Sequence, residues 1–417
     1  NRIKQRQTSG HSCINTNYNL ISNPMEIRTI KDLKDIKGKR ILLRVDFNVP
    51  LKENGDIQDD TRIVESLETI NYLKNKGAKL IIMSHLGRPD GKIKDEFRLT
   101  RVAEYLSKLI KTPVKKTENV LDDNVKKEVE KMKDGEVLML ENMRFRKEEE
   151  ECETNFTKEL ASLGEIFVND AFGTAHRKHA STAGLADYLP AYGGFLMEKE
   201  IINLSPILEE EAIRPLTMIF GGAKIDTKIG VIKNFINKAD YFLIGGAIAN
   251  TFLVAAGYNV GKSLYEKEKI ETAREIMLDS EKNCERFILP HDVVVANEIS
   301  DTAETVDIAI EDITDDMKIL DVGKWTAEKF ANIIEKSGTV IWNGPIGFCE
   351  HKPFQEGTRT IAKMLVEHDC ISIIGGGDTV TVAKKVGLKK FSFVSTAGGA
   401  MLEFLSNGTL PGIKALE

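Results

Sequence analysis

One pattern recurs along this chain and limits the folds open to it: a short apolar run, a polar or glycine-rich loop, then an amphipathic stretch. The first half contains the runs RILLRVDF, KLIIMSHL, EVLMLENM and EIFVNDAF, and the second contains LTMIFGG, YFLIGG, RFILPHDVVVAN, KILDVGKW, TVIWNG and CISIIGGG. Short apolar runs without alternation are typical of strands that are buried on both faces, as in parallel sheets. Amphipathic stretches such as residues 61–76 supply the crossover helices. The pattern predicts an α/β fold with two doubly wound, Rossmann-like domains and mainly parallel sheets.

The length of the chain, 417 residues, suits two domains of about 180–200 residues each. Between the two series of strands, helical periodicity predicts a connecting helix over 196–211, next to a hinge. We therefore expect an N-terminal domain over 25–195 and a C-terminal domain over 212–401. Residues 1–24 contain no acidic residue and lack the apolar centre of a signal peptide. We expect them to form a disordered tail, or one left from expression, with a targeting peptide as the alternative.

The composition argues against several classes of function. The formal net charge is −6 and the isoelectric point is about 5.8, whereas proteins that bind nucleic acids or anionic membranes usually carry a basic excess. We therefore expect small-molecule substrates, and neither a nucleic-acid nor a membrane partner. The cysteines form no CxxC pair and are odd in number, which indicates a reducing, cytoplasmic location. They are Cys13, Cys152, Cys284, Cys349 and Cys370.

Cationic and hydrogen-bonding side chains follow the strands of the first half. In open α/β sheets, ligands bind beyond the carboxyl ends of the strands. The planar fork of arginine matches carboxylate and phosphate oxygens. Any single arginine is as readily an ordinary surface residue, but the shared position at strand ends favours a site for a small polyanion. The residues concerned are Asp46, Asn48, Arg62, His85, Arg88, Arg144, His176, Arg177 and His179.

Glycines follow the strands of the second half, where their backbone amides can approach phosphate oxygens at helix N-termini. Tight strand–helix turns also need glycine, so one such loop says little, but five in one domain favour a nucleotide site. Two common fingerprints are absent. The P-loop pattern needs four residues between its first glycine and the GK pair, whereas GYNVGK has three. The dinucleotide motif needs a third glycine, whereas GGGDTV has Val380 at that position.

Three charged residues of the second half are candidates for phosphate or metal binding. Lys224 and Lys228 are four residues apart, which predicts that both lie on one helix face near its start and reach phosphate. A solvated cationic face is an equal alternative. Asp378 follows three glycines and either caps the helix or, with a nucleotide bound, helps to hold Mg²⁺, which prefers few carboxylates plus phosphate oxygens.

Seven motifs, in order, carry a resemblance to a known family over residues 26–417. RVDFNVP, SHLGRP, ENMRF, NDAFGTAHRKHAST, GGAKIDTKI, WNGPIGFCE and GGGDT are similar to those of phosphoglycerate kinases. The resemblance implies two domains across a hinge and reversible phosphoryl transfer from 1,3-bisphosphoglycerate to MgADP, giving 3-phosphoglycerate and MgATP. It also implies a place in glycolysis, a monomer, and a C-terminal segment, 402–417, that packs back on the N-terminal domain.

The resemblance also assigns roles to individual positions. It puts 3-phosphoglycerate on Asp46, Asn48, Arg62, His85, Arg88, Arg144 and Arg177. It puts the nucleotide on Lys224, Lys228, Gly323, Asn343, Pro345, Glu350, Gly377, Asp378 and Thr379. Within that set, Glu350 would take the ribose hydroxyls, Gly323 would line the base pocket, and Asp378 would be the protein ligand of a Mg²⁺ held mainly by the nucleotide phosphates.

The chemistry implied needs no protein nucleophile, because the acyl phosphate is already activated. The protein has to position the two substrates and stabilise charge on the transferred group. We expect Arg62 and Lys224 to act in the transition state, with backbone amides around Gly376 and Gly399 completing the cradle.

Two positions depart from the usual pattern of the family. Ala397 stands where a glycine is usual, which questions how that loop closes on phosphate, because alanine does not adopt positive φ cheaply. Cys349 replaces an aromatic residue before Glu350, which predicts a looser nucleotide pocket. Two other functions stay open at this point: a non-catalytic two-domain nucleotide-binding protein, and a dehydrogenase, which the missing dinucleotide motif disfavours.

Overall fold

Two six-stranded parallel sheets and one small antiparallel sheet organise the computed structural model, which describes residues 27–209, 211–280 and 286–417. The tail expected over 1–24 and two of the cysteines, Cys13 and Cys284, lie outside the described residues. The other cysteines, Cys152, Cys349 and Cys370, are free thiols. None of the helices in the described ranges combines the length and apolar character needed to cross a bilayer.

The strands are short and follow the apolar runs. They are β1 Arg40–Arg44, β2 Lys79–Met83, β3 Val114–Lys116, β4 Val137–Met139, β5 Ile166–Asn169, β6 Ala191–Gly193, β7 Leu216–Phe220, β8 Tyr241–Ile244, β9 Phe287–Ile288, β10 Asp292–Ala296, β11 Val306–Ala309, β12 Lys318–Val322, β13 Thr339–Asn343, β14 Ile371–Gly375 and β15 Phe393–Val394.

Most of the helices lie between strands and provide the crossovers. They are α1 Thr61–Glu65, α2 Leu67–Asn75, α3 Thr100–Ile110, α4 Asp123–Glu130, α5 Lys147–Glu150, α6 Thr154–Ala161, α7 Phe195–Leu208, α8 Asp226–Phe235, α9 Gly246–Ala255, α10 Ile270–Ser280, α11 Lys324–Lys336, α12 Glu356–Glu367, α13 Gly377–Val386, α14 Gly398–Asn407 and α15 Pro411–Lys414. The single helix expected over 61–76 is divided at Ser66, whose hydroxyl donates to the Arg62 carbonyl at 3.2 Å.

The strand order confirms two doubly wound sheets. The first runs β3-β4-β2-β1-β5-β6 and the second runs β15-β14-β13-β7-β8-β9. In each sheet the chain starts at a central strand, builds one side, and then returns to build the other. The order therefore reverses between β1 and β5 in the first sheet and between β7 and β13 in the second. Such reversal points open a crevice at the carboxyl ends of the strands, where ligands bind in open α/β sheets.

The hydrophobic core explains why these segments form these elements. Residues on both faces of the central strands are buried, as the unbroken apolar runs predict. The strand pairing places Leu42 opposite Ile81 and Met218 opposite Ile341. Helix α3 buries Val102, Ala103, Leu106 and Ile110, which follow helical spacing along one face. It ends where Lys111 turns into the left-handed region.

The small antiparallel sheet differs from the parallel strands expected for this part of the chain. Its order is β11-β10-β12. Strand β10 alternates buried and half-buried residues along its first four positions, and Val293 and Val295 pack into a separate core cluster with Leu253 and Ile313. One face is packed and the other is less covered, which is the usual arrangement of an antiparallel sheet. The apolar run alone does not distinguish the two cases, because it records hydrophobicity and not the direction of the partner strand.

Helix α7 lies between the two sheets in the chain, and the C-terminal segment runs back to the first of them. The Leu416 carbonyl accepts a hydrogen bond from Arg28 N at 3.1 Å, and Gly412 N donates to the Ala175 carbonyl at 2.8 Å. On α14, the ring of Phe404 meets Phe172 edge-on at 6.2 Å. These contacts join the end of the chain to the first sheet and its loops.

A buried carboxyl on α7 links this helix to the loop before α14. Glu200 is fully buried, and it accepts hydrogen bonds from Ser395 Oγ at 2.8 Å and from Thr396 N at 2.7 Å. Burial raises the pKa of Glu200 to about 7, although these hydrogen bonds oppose the rise. Burial likewise raises the pKa of Asp170 to about 6 and that of Asp321 to about 7.

We expect the contribution of Glu200 to the free energy of unfolding to fall by about 1 kcal/mol as the pH rises from about 6 to about 8. The unfolded side chain titrates at about pH 4.3, and the folded one has a pKa of about 7. Between these values only the folded protein holds the proton, so raising the pH removes that stabilisation. Denaturant titrations at both pH values measure the change. Glu200→Gln, which cannot titrate, should lose less stability over this interval; an equal loss in both proteins contradicts the assignment.

Candidate functional site

The predicted polyanion residues of the first half lie beyond the carboxyl ends of β1, β2 and β4, around the loop at Gly87. Asn48 Oδ1 accepts a hydrogen bond from Gly87 N at 2.8 Å, and Arg144 Nη1 donates to the Gly87 carbonyl at 3.0 Å. Arg62, on α1, donates from Nη1 to the Asn48 carbonyl at 2.7 Å. Arg88 is exposed in the loop after His85. The structure therefore brings Asn48, Arg62 and Arg144 to one loop, with Arg88 on the surface beside it.

Asp46 provides negative charge beside these cations. Its Oδ2 lies 3.3 Å from Arg62 Nη1, and its Oδ1 lies 3.8 Å from His85 Nδ1. The carboxylate is 8% exposed, so its two oxygens face the cluster and not the solvent. Asp46 holds Arg62 in place more than it neutralises the group, because several guanidinium groups surround it.

Arg44 is a member of this cluster that the sequence reasoning missed. It is only 1% exposed, donates from Nη1 to the Val45 carbonyl at 2.7 Å, and places Nη2 at 3.3 Å from His85 Nδ1. Guanidinium nitrogens only donate, so Nδ1 of His85 must accept and its proton must sit on Nε2. Burial, then Arg44, holds the pKa of His85 well below its usual range. The signal in the sequence was a charged residue inside an otherwise apolar run.

Arg144 and Arg177 complete the cationic side. Arg144 is 4% exposed, and burial followed by the nearby Arg177 lowers its pKa to about 10. Arg177 donates from Nε to His176 Nε2 at 3.2 Å. Glu150, 3.3 Å from Arg144 Nε, balances part of this charge. Cations that destabilise one another in a desolvated place favour the binding of an anion, which relieves the repulsion.

On the second sheet, three glycine-containing loops interlock beyond β7, β13 and β14. Gly222 N donates to the Pro345 carbonyl at 2.8 Å, and Asn343 Nδ2 donates to the Gly375 carbonyl at 3.0 Å. A Cβ added to Gly221 would lie 2.0 Å from the Pro345 oxygen. Only glycine allows one backbone to approach the other so closely. The contacts made by Asn343 and Pro345 hold the loops in this arrangement.

Thr379 takes part in the same arrangement. Its side chain is fully buried, and its hydroxyl accepts a hydrogen bond from Gly344 N at 2.7 Å. The hydroxyl thus orients the neighbouring loop. Because a hydroxyl can donate while it accepts, the expected contact of Thr379 with the phosphates stays a prediction. Asp378, one residue earlier, is exposed in the first turn of α13.

The loops before α13 and α14 meet backbone to backbone. Gly376 has φ of +100°, and a Cβ added to Gly398 would lie 2.6 Å from the Gly376 Cα. Next to them, Gly377 and Gly399 have no heavy atom within 4 Å of the place where a Cβ would stand. The two loops thus leave the backbone at Gly377 and Gly399 open, next to the N-termini of α13 and α14. Backbone amides at helix N-termini favour the binding of an anion.

The two candidate lysines, Lys224 and Lys228, do not lie together on one helix face. Helix α8 begins at Asp226, so Lys224 precedes it and is exposed, while Lys228 lies within it and is buried. The prediction of one shared helix face is wrong, because the helix starts two residues later than the spacing assumed. Burial lowers the pKa of Lys228, and Glu266 and Asp378 oppose that change. Lys228 is thus a desolvated cation next to Asp378 at the glycine loops.

A cavity of about 330 Å³ opens between the second sheet and the small antiparallel sheet. Its wall combines apolar side chains, including Val293, Ile319 and Phe348, with the predicted residues Pro345, Glu350 and Asp378. Gly323 is buried next to Val322, which lines this cavity, and Asp292 lies where a side chain at position 323 would stand. The apolar wall is suited to a flat ring, and the exposed Glu350 carboxylate is suited to hydroxyl groups.

A second cavity, of about 530 Å³, lies in the cleft between the two halves of the chain. It is lined by Asn48 and Arg62 on one side and by Gly376 and Asp378 on the other. Asp378 borders both cavities. A ligand with a ring in the first cavity and a phosphate chain at Asp378 therefore has its far end directed towards Arg62.

The two departures from the family pattern have small consequences. Ala397 has φ of −137°, an extended conformation that alanine adopts freely, so the doubt about positive φ does not arise. Cys349 does not line the nucleotide-sized cavity; its sulfur lies 3.0 Å from Thr358 Oγ1. Burial raises the pKa of Cys349 to about 11, so it stays a thiol that packs against α12.

The comparisons with known proteins agree with this geometry. The family model described as phosphoglycerate kinase matches residues 30–408. The chain belongs to the phosphoglycerate kinase family. It is therefore an enzyme, a phosphotransferase of glycolysis that uses a nucleotide substrate.

Individual phosphoglycerate kinases match over almost their whole length. Those of Dictyoglomus turgidum and Pelotomaculum thermopropionicum are 51% and 45% identical, over 94% of this chain and 100% and 99% of their own. Among solved structures, the phosphoglycerate kinase of Coxiella burnetii has a TM-score of 0.81 at 40% identity, covering 94% of this chain and 99% of that one. The enzyme of Pyrococcus horikoshii has a TM-score of 0.82 at 32% identity, covering 94% and 98%. The alternative of a non-catalytic nucleotide binder is not favoured.

Proposed function

We propose that the two cavities divide the phosphoglycerate kinase reaction between them. The basic cluster around Gly87 binds 3-phosphoglycerate or 1,3-bisphosphoglycerate, and the glycine loops with the cavity beside them bind ADP or ATP. The observation that supports this most is that Asp378 borders both cavities while Arg62 faces it across the cleft. We further propose the corresponding domains: 25–195 with 402–417 for phosphoglycerate, 196–211 as the connecting helix, and 212–401 for the nucleotide.

On the phosphoglycerate side, the charge of the arginine side chains and the tautomer of His85 fit a small polyanion. Arg88, Arg144 and Arg177 supply positive charge for the phosphate and carboxylate groups, while Asn48 and Asp46 shape the site. His85 is neutral, because its burial and then the surrounding guanidinium groups lower its pKa, and its Nε2–H donates to a substrate oxygen. A neutral donor of this kind binds its ligand equally well across the physiological pH range.

On the nucleotide side, the apolar wall takes the base and Glu350 takes the ribose hydroxyls. Lys228 and Lys224 bind phosphate oxygens, together with the open backbone at Gly377 and Gly399. In the described ranges, no group of three or more His, Cys, Asp or Glu is placed to hold a metal ion. The single exposed carboxylate of Asp378 fits a Mg²⁺ that is held mostly by nucleotide phosphates. When bound, that ion neutralises phosphate charge during transfer.

The reaction then proceeds by in-line transfer, without a covalent enzyme intermediate. The terminal oxygen of ADP attacks the phosphoryl group of the acyl phosphate, and the carboxylate of 3-phosphoglycerate leaves. Arg62 and Lys224 stabilise the equatorial oxygens, and the amides of the loops at Gly376 and Gly399 complete the contacts. Closure of the cleft keeps out water, which would otherwise hydrolyse the acyl phosphate. We also propose that the enzyme works as a monomer in the cytoplasm, in agreement with its free cysteines.

A coupled assay tests the reaction. Purified protein, 3-phosphoglycerate and MgATP should form the acyl phosphate, which is followed by NADH consumption through an acyl-phosphate-reducing dehydrogenase. Omitting either substrate, or the protein, should abolish the signal. Tight binding of MgADP without turnover would support a non-catalytic nucleotide binder in place of the kinase.

A further inference from the structure

One lysine of the second half reaches across the cleft to the turn that carries Arg62. Lys384 lies on α13, and its Nζ pairs with the Asp59 carboxylate and donates to Thr61 Oγ1 at 3.2 Å. Asp59 and Thr61 line the cleft cavity together with Arg62. The contact joins residues 325 positions apart in the chain, and it is separate from the substrate contacts proposed above.

Asp59 organises the start of α1 as well as pairing with Lys384. Its Oδ1 accepts a hydrogen bond from Thr61 N at 2.9 Å, and Thr61 is the first residue of the helix. The neighbouring Asp60 accepts from Tyr105 Oη at 2.7 Å, which ties the same turn to α3. Although partial burial raises it, hydrogen bonds from Lys384 and Thr61 hold the pKa of Asp59 at about 2. The Asp59 carboxylate is therefore charged at any working pH.

The other end of α13 is the glycine loop that faces Arg62. Helix α13 runs from Gly377 to Val386, and a helix of this length, about 15 Å, behaves as a rigid rod. Lys384 thus ties the far end of this rod to the first turn of α1, while its near end holds Gly377 and Asp378 at the cleft. Fixing both ends sets the separation between the glycine loop and the Arg62 guanidinium.

We propose that Lys384 is a positioning residue for phosphoryl transfer: by holding Asp59 and Thr61 across the cleft, it sets the distance at which Arg62 faces the nucleotide phosphates. This inference rests on the proposed role of Arg62. Lys384 touches neither substrate, so its loss should act on the chemical step and leave the binding of each separate substrate unchanged. The pair is partly exposed, with side chains 36% and 32% accessible, so the effect should be moderate.

A double-mutant cycle tests the proposal. Lys384→Met and Asp59→Asn should each lower kcat about three- to fivefold, and the double variant should be no slower than the slower single one. Asparagine keeps an oxygen that can accept from Thr61 N, so Asp59→Asn removes the charge without removing this hydrogen bond. Calorimetry should give unchanged Kd values for 3-phosphoglycerate and MgADP, and Tm should stay within a few degrees. Effects that multiply in the double variant overturn the proposal.

Lys385→Met provides the matched control. Lys385 is the next residue on α13 and contacts Gln355 within the same half, at 3.3 Å, so its loss should leave kcat unchanged. If Lys384→Met and Lys385→Met have equal kcat, the positioning role is wrong. Arg62→Ala, assayed in parallel, separates this outcome from a failure of the proposed function: a Lys384 variant at full rate beside an inactive Arg62 variant rejects only the positioning role.

Discussion

Replacing Arg62 by alanine should lower kcat by about 100-fold or more while leaving the Kd of MgADP nearly unchanged. Arg62 lies on α1 and is held by the Asn48 carbonyl and the Asp46 carboxylate at one side of the cleft. The glycine loops and Asp378 line the opposite side. In the proposed reaction, its charge faces the place where the transferred phosphoryl group develops charge, and not the base or ribose. Steady-state kinetics and calorimetry measure the two quantities.

Two further variants sharpen this test. Arg62→Lys keeps the charge but loses the planar fork, so its kcat should fall between those of the wild type and the alanine variant. Arg101→Ala is the matched control, because Arg101 is exposed on α3, away from the cleft lining, and pairs with Glu104 at 3.5 Å; its kcat should not change. A near-wild-type kcat for Arg62→Ala would remove Arg62 from the transition-state role.

Replacing Lys228 by methionine should weaken MgADP binding by about 10- to 100-fold, since hydrogen bonds to charged groups contribute more than neutral ones. Lys228 is a buried cation on α8, near Asp378 and Glu266 and beside the glycine loop at Gly222. Its loss removes one positive charge and leaves these two carboxylates without the cation beside them. Both changes act against the nucleotide, whereas methionine keeps most of the packing volume. Calorimetry with MgADP measures the change directly.

The control for Lys228 lies on the same helix. Lys233 is exposed in the last turn of α8, so Lys233→Met should bind MgADP as the wild type does. The Kd of 3-phosphoglycerate should stay the same in both variants, because that ligand belongs to the other half of the cleft. An unchanged Kd for MgADP in Lys228→Met counts against the phosphate-binding role.

The fold followed from a local pattern. Unbroken apolar runs of the RILLRV type record burial on both faces, and they predicted the parallel strands of both sheets. The same pattern failed for β10 and β12, whose hydrophobicity is similar but whose partners run antiparallel. The direction of a partner strand depends on how the connecting chain returns, and the residues of the strand itself do not record it.

The site followed the sequence in part. Residues at strand ends, such as Asn48 and Arg144, meet around Gly87 because the carboxyl ends of parallel strands share one edge of a sheet. The roles of Gly323 and Thr379 at the nucleotide stay predictions: Gly323 is buried next to Val322 of the cavity wall, and the Thr379 hydroxyl accepts a hydrogen bond from Gly344 N. A motif gives the place of a residue along the chain, whereas side-chain direction depends on packing against other elements.

By itself, the sequence determined the class of fold, the contrast between a basic half and a glycine-rich half, and, through its seven motifs, the family. These properties are carried by residues close together in the chain, whose periodicity and chemistry are visible without packing. Only the tertiary structure showed the buried Arg44 that fixes the tautomer of His85 and the contact of Lys384 with Asp59. Both join side chains from distant segments, and such contacts exist only once the sheets and helices have packed.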